Sequence, residues 1–292
     1  MSEAATLDRR INAFRPDLAD RRLERRVAAE RYVDGKPMRV TVPSTPIRRA
    51  PHPGSAIDTE ALLGEAVLVF EETIEGWAWI QLQTDGYVGY VSSDALGPEG
   101  TAPTHGVTAL RTFLYPGPDM KLPPLGALSI GARIAISGEA ETRGASFGLL
   151  AGGGGAVVLR HVAPLDAPPE PDFVAVAERF LNVPYLWGGR TSLGVDCSGL
   201  VQLALAAAGH AVQRDTDQQA AAIGTSLGPD ALDAPRRGDL VFWKGHVGII
   251  SDADTLLHAS GYQMQVVAEP LRAALARIAA SAGPPVAVRR IG

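Results

Sequence analysis

The chain has 292 residues, of which 46% are hydrophobic and 20% charged, and its formal net charge is −5. This length favours two or more domains, and the acidic balance excludes the usual basic type of nucleic-acid-binding protein. No stretch approaches the about 18 uninterrupted apolar residues of a membrane-spanning helix, and the first residues lack the apolar core of a secretory signal. A single cysteine excludes an internal disulfide. We therefore expect a cytoplasmic protein without nucleic-acid or membrane partners.

Residues 1–35 are rich in both arginine and acidic side chains. Leu18, Leu23 and Val27 give this segment one apolar stripe at helical spacing, which predicts a short N-terminal helical segment. Its arginines form either an anion-binding patch or a solvated helix face with i,i+4 ion pairs, and we favour the solvated face. The arginines concerned are Arg21, Arg22, Arg25 and Arg26.

Two regions of short β-type runs follow. Residues 36–98 contain runs separated by turn residues, which predicts a small β-barrel, and residues 104–165 look like a degenerate second copy. The glycine run at 152–155 lacks the Lys and Ser/Thr of a phosphate loop and predicts a hairpin turn. A proline-rich linker at 163–171 ends this part of the chain. The strands predicted in the first barrel are Met38–Val42, Glu65–Phe70, Trp77–Leu82 and Gly86–Val91.

The last region, residues 170–292, begins with helical patterns. Asp172 and Asp196 each precede such a pattern and can act as N-caps, and the second helix is predicted to begin at Cys197. Five strand-like runs follow, which predicts an α+β domain with an antiparallel sheet. These runs are Asp239–Trp243, His246–Ser251, Thr255–Ala259, Gln263–Val267 and Val286–Ile291.

Cys197 is the first candidate for chemistry. At a helix N-terminus, free N–H groups and the helix dipole favour a thiolate and lower the pKa of the thiol. The alternative is that Cys197 is a small buried core residue, as many free cysteines are.

His246 and His258 are the second and third candidates, because both lie in strand-like runs after the cysteine. A cysteine nucleophile needs a base, and the base needs a third group to orient it. In a hairpin, the two histidines share a face of the sheet only if the numbers of paired residues have an even sum. The turn at residues 252–255 permits either register, so the sequence leaves this open.

Six short motifs surround these candidates. In chain order they are PYLWGG, DCSGLV, RDTDQQ, RRGDLVFW, GHVGI and LLHAS. With these motifs the chain resembles the NlpC/P60 cysteine peptidases, which have a papain-like fold. The strings DTEALLGE and DGYVGYV carry a weaker resemblance to SH3-like barrels. With two such barrels before the peptidase domain, the chain is similar to γ-D-glutamyl-L-diamino acid endopeptidases of the dipeptidyl-peptidase VI type.

The resemblance implies roles by position. Cys197 matches the nucleophile, His246 the general base and acid, and His258 the orienting residue. Tyr185, Ser198 and Asp215 match positions around the L-Ala-γ-D-Glu end of a murein peptide. In the first barrel, Tyr87 matches a groove-lining tyrosine and Asp58 an acidic residue that meets the free amine of the substrate.

The implied activity is hydrolysis of the γ-D-glutamyl–diamino acid bond in murein peptides with a free N-terminal L-Ala, in cell-wall peptide recycling or turnover. No step of it needs a metal or another cofactor. The alternatives are an SH3-like wall-peptide-binding protein with an inactive peptidase domain, and an amidase or acyltransferase on the same fold. The sequence predicts neither the preferred diamino acid nor the oligomeric state.

Overall fold

The computed structural model describes residues 7–292, which divide into two compact units. The first unit comprises the described residues up to Val107, together with Thr112–Leu128 and Ala132–Leu165, and the second comprises Thr108–Arg111, Ser129–Gly131 and Asp166–Gly292. Two short segments of the predicted second barrel therefore belong to the second unit. Hydrogen bonds explain this membership, because Ser192 donates its N–H to Ser129 Oγ at 2.9 Å and accepts at its own Oγ from Arg111 Nε at 3.1 Å.

The prediction of an N-terminal helical segment is wrong for residues 7–35, and residues 1–6 of that segment lie outside the described residues. Residues 7–35 contain a 3₁₀ turn and two short strands that pair in parallel, and no α-helix. Charged neighbours pair two positions apart, as in Arg15 with Asp17 at 2.7 Å, whereas helical pairs lie three or four positions apart. Leu18 is buried against Trp79 of the first barrel region, so the apolar stripe covers a sheet. The elements are β1 (Leu18–Asp20), the 3₁₀ turn (Arg21–Leu23) and β2 (Arg31–Val33).

The region of the first predicted barrel forms one seven-stranded sheet in which all pairs are antiparallel. Ile47, Ile80 and Leu82 are among the fully buried members of its core. All four predicted strands are present, with ends shifted by up to two residues, but three others were not predicted. Proline and polar residues interrupt the patterns of β4 and β5, and β9 has only two residues. The strands are β3 (Lys36–Val40), β4 (Ser44–Arg48), β5 (Ile57–Leu62), β6 (Ala66–Glu72), β7 (Trp77–Leu82), β8 (Val88–Ser92) and β9 (Leu96–Gly97).

The predicted second barrel consists of three small sheets and does not repeat the seven-stranded sheet. The glycine run at 152–155 lies between two antiparallel strands, β15 and β16 below, which confirms the hairpin turn. Gly152, Gly153 and Gly155 have positive φ angles there, which side chains disfavour. The strands are β10 (His105–Val107), β11 (Arg111–Leu114), β12 (Gly126–Ser129), β13 (Arg133–Ile134), β14 (Ile136–Thr142), β15 (Ala145–Leu150), β16 (Ala156–Val158) and β17 (Val162–Pro164).

The second unit combines four α-helices with a six-stranded antiparallel sheet of order β20-β25-β21-β22-β23-β24. This confirms the α+β prediction, although α3 and α4 were not predicted. The helices are α1 (Phe173–Glu178), α2 (Cys197–Ala207), α3 (Thr216–Ala222) and α4 (Leu271–Ala282). The strands are β18 (Arg190–Thr191), β19 (Gly194–Val195), β20 (Thr225–Leu227), β21 (Leu240–Trp243), β22 (His246–Asp252), β23 (Thr255–Ser260), β24 (Gln265–Pro270) and β25 (Ala287–Arg290).

Two helices pack against this sheet. Helix α2 is apolar on nearly all sides and contacts β22 and β23, so its first residue lies close to the strands that carry the two histidines. Helix α4 buries Leu271, Ala274 and Ile278 against a cluster that includes Trp243 and Ile250. Among the described residues, no helix combines the length and apolar character needed to cross a membrane.

Candidate active site

Cys197 is the first residue of α2, as predicted, and its side chain is free and buried, with the residue 6% exposed. Asp196 caps the helix by accepting from the N–H of Gly199 at 2.7 Å. The second carboxylate oxygen of Asp196 accepts from the N–H of Gly188 at 2.9 Å, which ties the glycine-rich loop to the helix start. The local sequence thus fixes where the thiol lies.

The protonation of Cys197 differs from the prediction. Burial, with a smaller contribution from the Asp196 carboxylate, raises the pKa of the thiol to about 11. Three smaller effects lower the pKa of the thiol: the N–H groups of Val247 and Ser198 and the positive charge of Arg214. The expected effect of the helix start is therefore present, but burial outweighs it, and the resting side chain is a neutral thiol.

The two strand histidines lie side by side. In the ladder between β22 and β23, Ile249 pairs with Leu257 and Ile250 with Leu256, so the paired numbers have an even sum. Both histidines therefore share a face of the sheet, and His246 Nε2 lies 2.7 Å from His258 Nδ1. The register that a catalytic pair requires is confirmed.

A hydrogen-bond chain extends beyond the histidines. His258 Nε2 lies 2.7 Å from Glu269 Oε1, and the same carboxylate oxygen accepts from Arg277 of α4. In the β23–β24 ladder His258 pairs with Val267, so Glu269 lies two residues further along the same face. Sequence analysis missed Glu269 because the predicted strand ended at Val267. The alternation of side chains would have indicated it only once the hairpin register was known.

Both histidines are neutral in this environment. Burial lowers the pKa of His246 to about 3, and the neighbouring His258 and Arg277 act in the same direction. Burial also lowers the pKa of His258, while its hydrogen bond to Glu269 opposes that shift. The resting site therefore combines a neutral thiol with two neutral imidazoles.

The three residues of this unit that were predicted to surround the substrate have different surroundings. Burial raises the pKa of the Tyr185 phenol above its usual range, and Cys197 and Asp196 add to the effect. Ser198 Oγ accepts from Arg214 Nη1 at 2.7 Å. Asp215 is the N-cap of α3.

Arg214 is a second residue that sequence analysis missed. It is 1% exposed, and its guanidinium forms an ion pair with Asp196 at 2.7 Å. A buried arginine requires such a partner, because an unpaired buried charge is strongly destabilising. The motif RDTDQQ contains Arg214, but the resemblance assigns a role only to the next residue, Asp215.

Tyr87 and Asp58 lie in the other unit. Tyr87 is 4% exposed and belongs to the core cluster that contains Ile47 and Ile80, which is a packing position. Asp58 forms an ion pair with Arg49 at 2.7 Å. Their roles toward a substrate stay predictions.

No group of three or more His, Cys, Asp or Glu side chains within residues 7–292 is arranged to hold a metal ion. The second unit offers a buried thiol and two neighbouring imidazoles for chemistry. The N–H of Val247, the residue after His246, lowers the pKa of the Cys197 thiol, so the backbone next to the base candidate lies close to the nucleophile candidate. Such a pair is suited to acyl transfer.

Family models match two parts of the chain. The NlpC/P60 family model matches residues 182–277, the stretch that contains the nucleophile candidate, both histidines and Glu269. A model described as the bacterial dipeptidyl-peptidase Sh3 domain matches residues 47–96, within the seven-stranded sheet.

Individual proteins resemble between about a third and most of the chain. A gamma-D-glutamyl-L-lysine dipeptidyl-peptidase of Bacillus subtilis is 30% identical over 234 residues, which are 70% of this chain and 73% of that protein. Dipeptidyl-peptidase 6 of Lysinibacillus sphaericus is 34% identical over 87 residues, which are 30% of this chain and 31% of its own length. The crystal structure of an NlpC/P60 family protein from Bacillus cereus superimposes with a TM-score of 0.72 at 19% identity and covers 87% of this chain and 99% of its own. At that identity the structural similarity concerns the fold alone.

Proposed function

The chain belongs to the NlpC/P60 family of peptidases, and we propose that it is a cysteine peptidase acting on murein peptides. The bond it hydrolyses joins γ-D-glutamate to the diamino acid in peptides with a free N-terminal L-Ala, in cell-wall peptide recycling or turnover. The observation that carries this proposal is the location of Cys197 near the backbone of Val247, next to His246, together with the 2.7 Å distance from His246 Nε2 to His258 Nδ1.

The reaction begins from a neutral pair. Cys197 attacks the γ-carbonyl carbon of D-Glu, and its proton moves to His246 as the C–S bond forms. The carbonyl oxygen becomes an oxyanion, which backbone N–H groups at the start of α2 stabilise. Collapse of this intermediate breaks the C–N bond, and His246 returns the proton to the departing amine of the diamino acid. Water, deprotonated by His246, then hydrolyses the thioester and releases L-Ala-γ-D-Glu.

Selection of the substrate rests on its free amine. An ammonium group that leaves water needs carboxylate and phenol or hydroxyl partners. We assign Asp215, Tyr185 and Ser198 to this task, and Tyr87 and Asp58 stay predicted contributors. We also propose that the peptidase domain has a papain-like fold and that residues 104–165 form an SH3-like domain. The proposed location is the cytoplasm.

The test is incubation with L-Ala-γ-D-Glu-diaminopimelate and with its lysine analogue, followed by detection of the free diamino acid. The wild-type chain should release it, Cys197→Ala should not, and acetylation of the L-Ala amine should prevent cleavage. Binding of the peptide without release would favour the wall-peptide-binding alternative. Equal cleavage of the acetylated peptide would overturn the selection of a free amine.

A further inference from the structure

Glu269 ends a chain of hydrogen bonds that starts at the proposed base. Its Oε1 atom lies 2.7 Å from His258 Nε2, and the other ring nitrogen of His258 lies 2.7 Å from His246 Nε2. His258 is 2% exposed, so water does not compete effectively for its nitrogens. The fixed geometry therefore restricts which nitrogen of each ring carries the proton.

The proton positions follow from the ends of this chain. Arg277 is a donor only and holds Glu269 Oε1 as an acceptor. His258 must then carry its proton on Nε2, which leaves Nδ1 as an acceptor for His246. His246 in turn carries its proton on Nε2, and its Nδ1 lone pair is left for the proton of the nucleophile.

We propose that Glu269, held by Arg277, is a positioning residue that selects the tautomers of His258 and His246 needed for base catalysis. The opposite tautomer of His258 would direct a nitrogen lone pair at the carboxylate. It would also leave His246 protonated on Nδ1, where it could not accept the proton of Cys197. This inference rests on the proposed thiol chemistry, and it assigns a role to α4, which carries Arg277.

The Glu269–Arg277 end of this hydrogen-bond series makes two further contacts. Gln263 Nε2 lies 3.5 Å from Glu269 Oε2, and the Arg277 guanidinium lies 4.9 Å from the centre of the Tyr262 ring. Because Oε1 already serves both His258 and Arg277, an amide oxygen in its place can do the same. Glu269→Gln therefore keeps the acceptor and removes the charge, whereas Glu269→Leu removes the acceptor.

The experiment records long-range ¹H–¹⁵N spectra of the imidazole nitrogens in the full chain at neutral pH, assigned with His246→Ala and His258→Ala variants. In the wild type and in Glu269→Gln, both histidines should be Nε2–H tautomers. In Glu269→Leu, His258 should become a tautomer mixture, and kcat should fall on the order of 10²- to 10⁴-fold with KM within about threefold. Glu178→Gln, which alters an ion pair with Arg237 elsewhere in the same unit, should change neither.

Three outcomes would overturn the inference: an Nδ1–H tautomer of His258 in the wild type, unchanged tautomers in Glu269→Leu, or an unchanged kcat in that variant. If Glu269→Leu does not fold, an Nδ1–H tautomer of His258 in the wild type or in Glu269→Gln still overturns the inference. Absence of any peptidase activity in the wild type would instead count against the proposed function, since the spectra do not depend on turnover.

Discussion

Two buried polar clusters flank Cys197 and differ in kind. In the first cluster, Arg214 and Asp196 form an ion pair at 2.7 Å, and Arg214 also donates a hydrogen bond to Ser198 Oγ. In the second cluster, His246 and His258 are neutral and pass a hydrogen bond outward to Glu269. The charged cluster fixes the loop and helix that carry the thiol, whereas the neutral cluster keeps a base able to accept a proton. The charged cluster thus has a structural role, and the neutral cluster has a chemical role.

This difference predicts opposite consequences of substitution. A change in the charged cluster leaves a buried charge without a partner and should chiefly lower the free energy of unfolding. A change in the neutral cluster removes a proton acceptor and should chiefly lower kcat.

His246→Gln should lower kcat on the order of 10²- to 10⁴-fold, because glutamine offers no base. The amide N–H can still donate to His258 Nδ1, so the free energy of unfolding at neutral pH should change by about 1 kcal/mol or less. Release of the diamino acid and urea unfolding measure the two effects. A variant that keeps more than about a tenth of kcat would remove His246 from the chemistry.

Arg214→Met should lower the free energy of unfolding by about 3–5 kcal/mol, because Asp196 stays buried without its partner. Urea unfolding of the second unit measures this. Arg179→Met is the matched control in the same unit, because the ion pair of Arg179 with Glu170 is partly exposed and should contribute about 1 kcal/mol or less. Equal losses in the two variants would contradict the structural role of the charged cluster.

The pH dependence of stability should reveal the neutral His246. Its folded pKa of about 3 lies below the unfolded value of 6.5, so the unfolded chain binds the proton first as pH falls. Stability from this residue is present above pH 6.5 and is lost toward pH 3, by up to about 1.4 kcal/mol per pH unit. Unfolding free energies measured across that range should fall less steeply in His246→Gln than in the wild type. Parallel curves would mean that His246 titrates normally.

Asp215→Asn should raise KM about tenfold with little change in kcat, because asparagine cannot attract the substrate ammonium as a carboxylate does. Asparagine is as good an N-cap as aspartate, so α3 and the stability should be retained. Steady-state kinetics with free and acetylated peptides measure this. If KM for the free peptide does not change, Asp215 acts only as a cap.

Local features of this site could be predicted from the sequence. Asp196 as a cap and Cys197 as the first helical residue depend only on neighbouring residues. Whether His246 and His258 share a face depends on whether the paired residue numbers have an even or an odd sum, because side chains alternate along each strand. The sequence permits both, and the pairing of β22 with β23 shows that the sum is even.

Features that depend on distant pairing could not be predicted. Glu269 reaches His258 only through the register between β23 and β24, and Arg277 reaches Glu269 only because α4 packs on the sheet. The apolar spacing around Leu18 predicts a helix, but this residue is buried against Trp79, and such tertiary contacts override the local spacing. The raised pKa of Cys197 similarly reflects burial that the local pattern does not reveal.

The central claim is that Cys197 forms a thioester with the L-Ala-γ-D-Glu part of the substrate. Acid quenching of the chain during the first turnover, followed by intact and peptide mass spectrometry, tests this directly. The account predicts a transient adduct with the mass of that dipeptidyl group on the peptide containing Cys197, absent from Cys197→Ala. Release of the diamino acid by the wild type without any adduct, together with release by Cys197→Ala at the same rate, would contradict it.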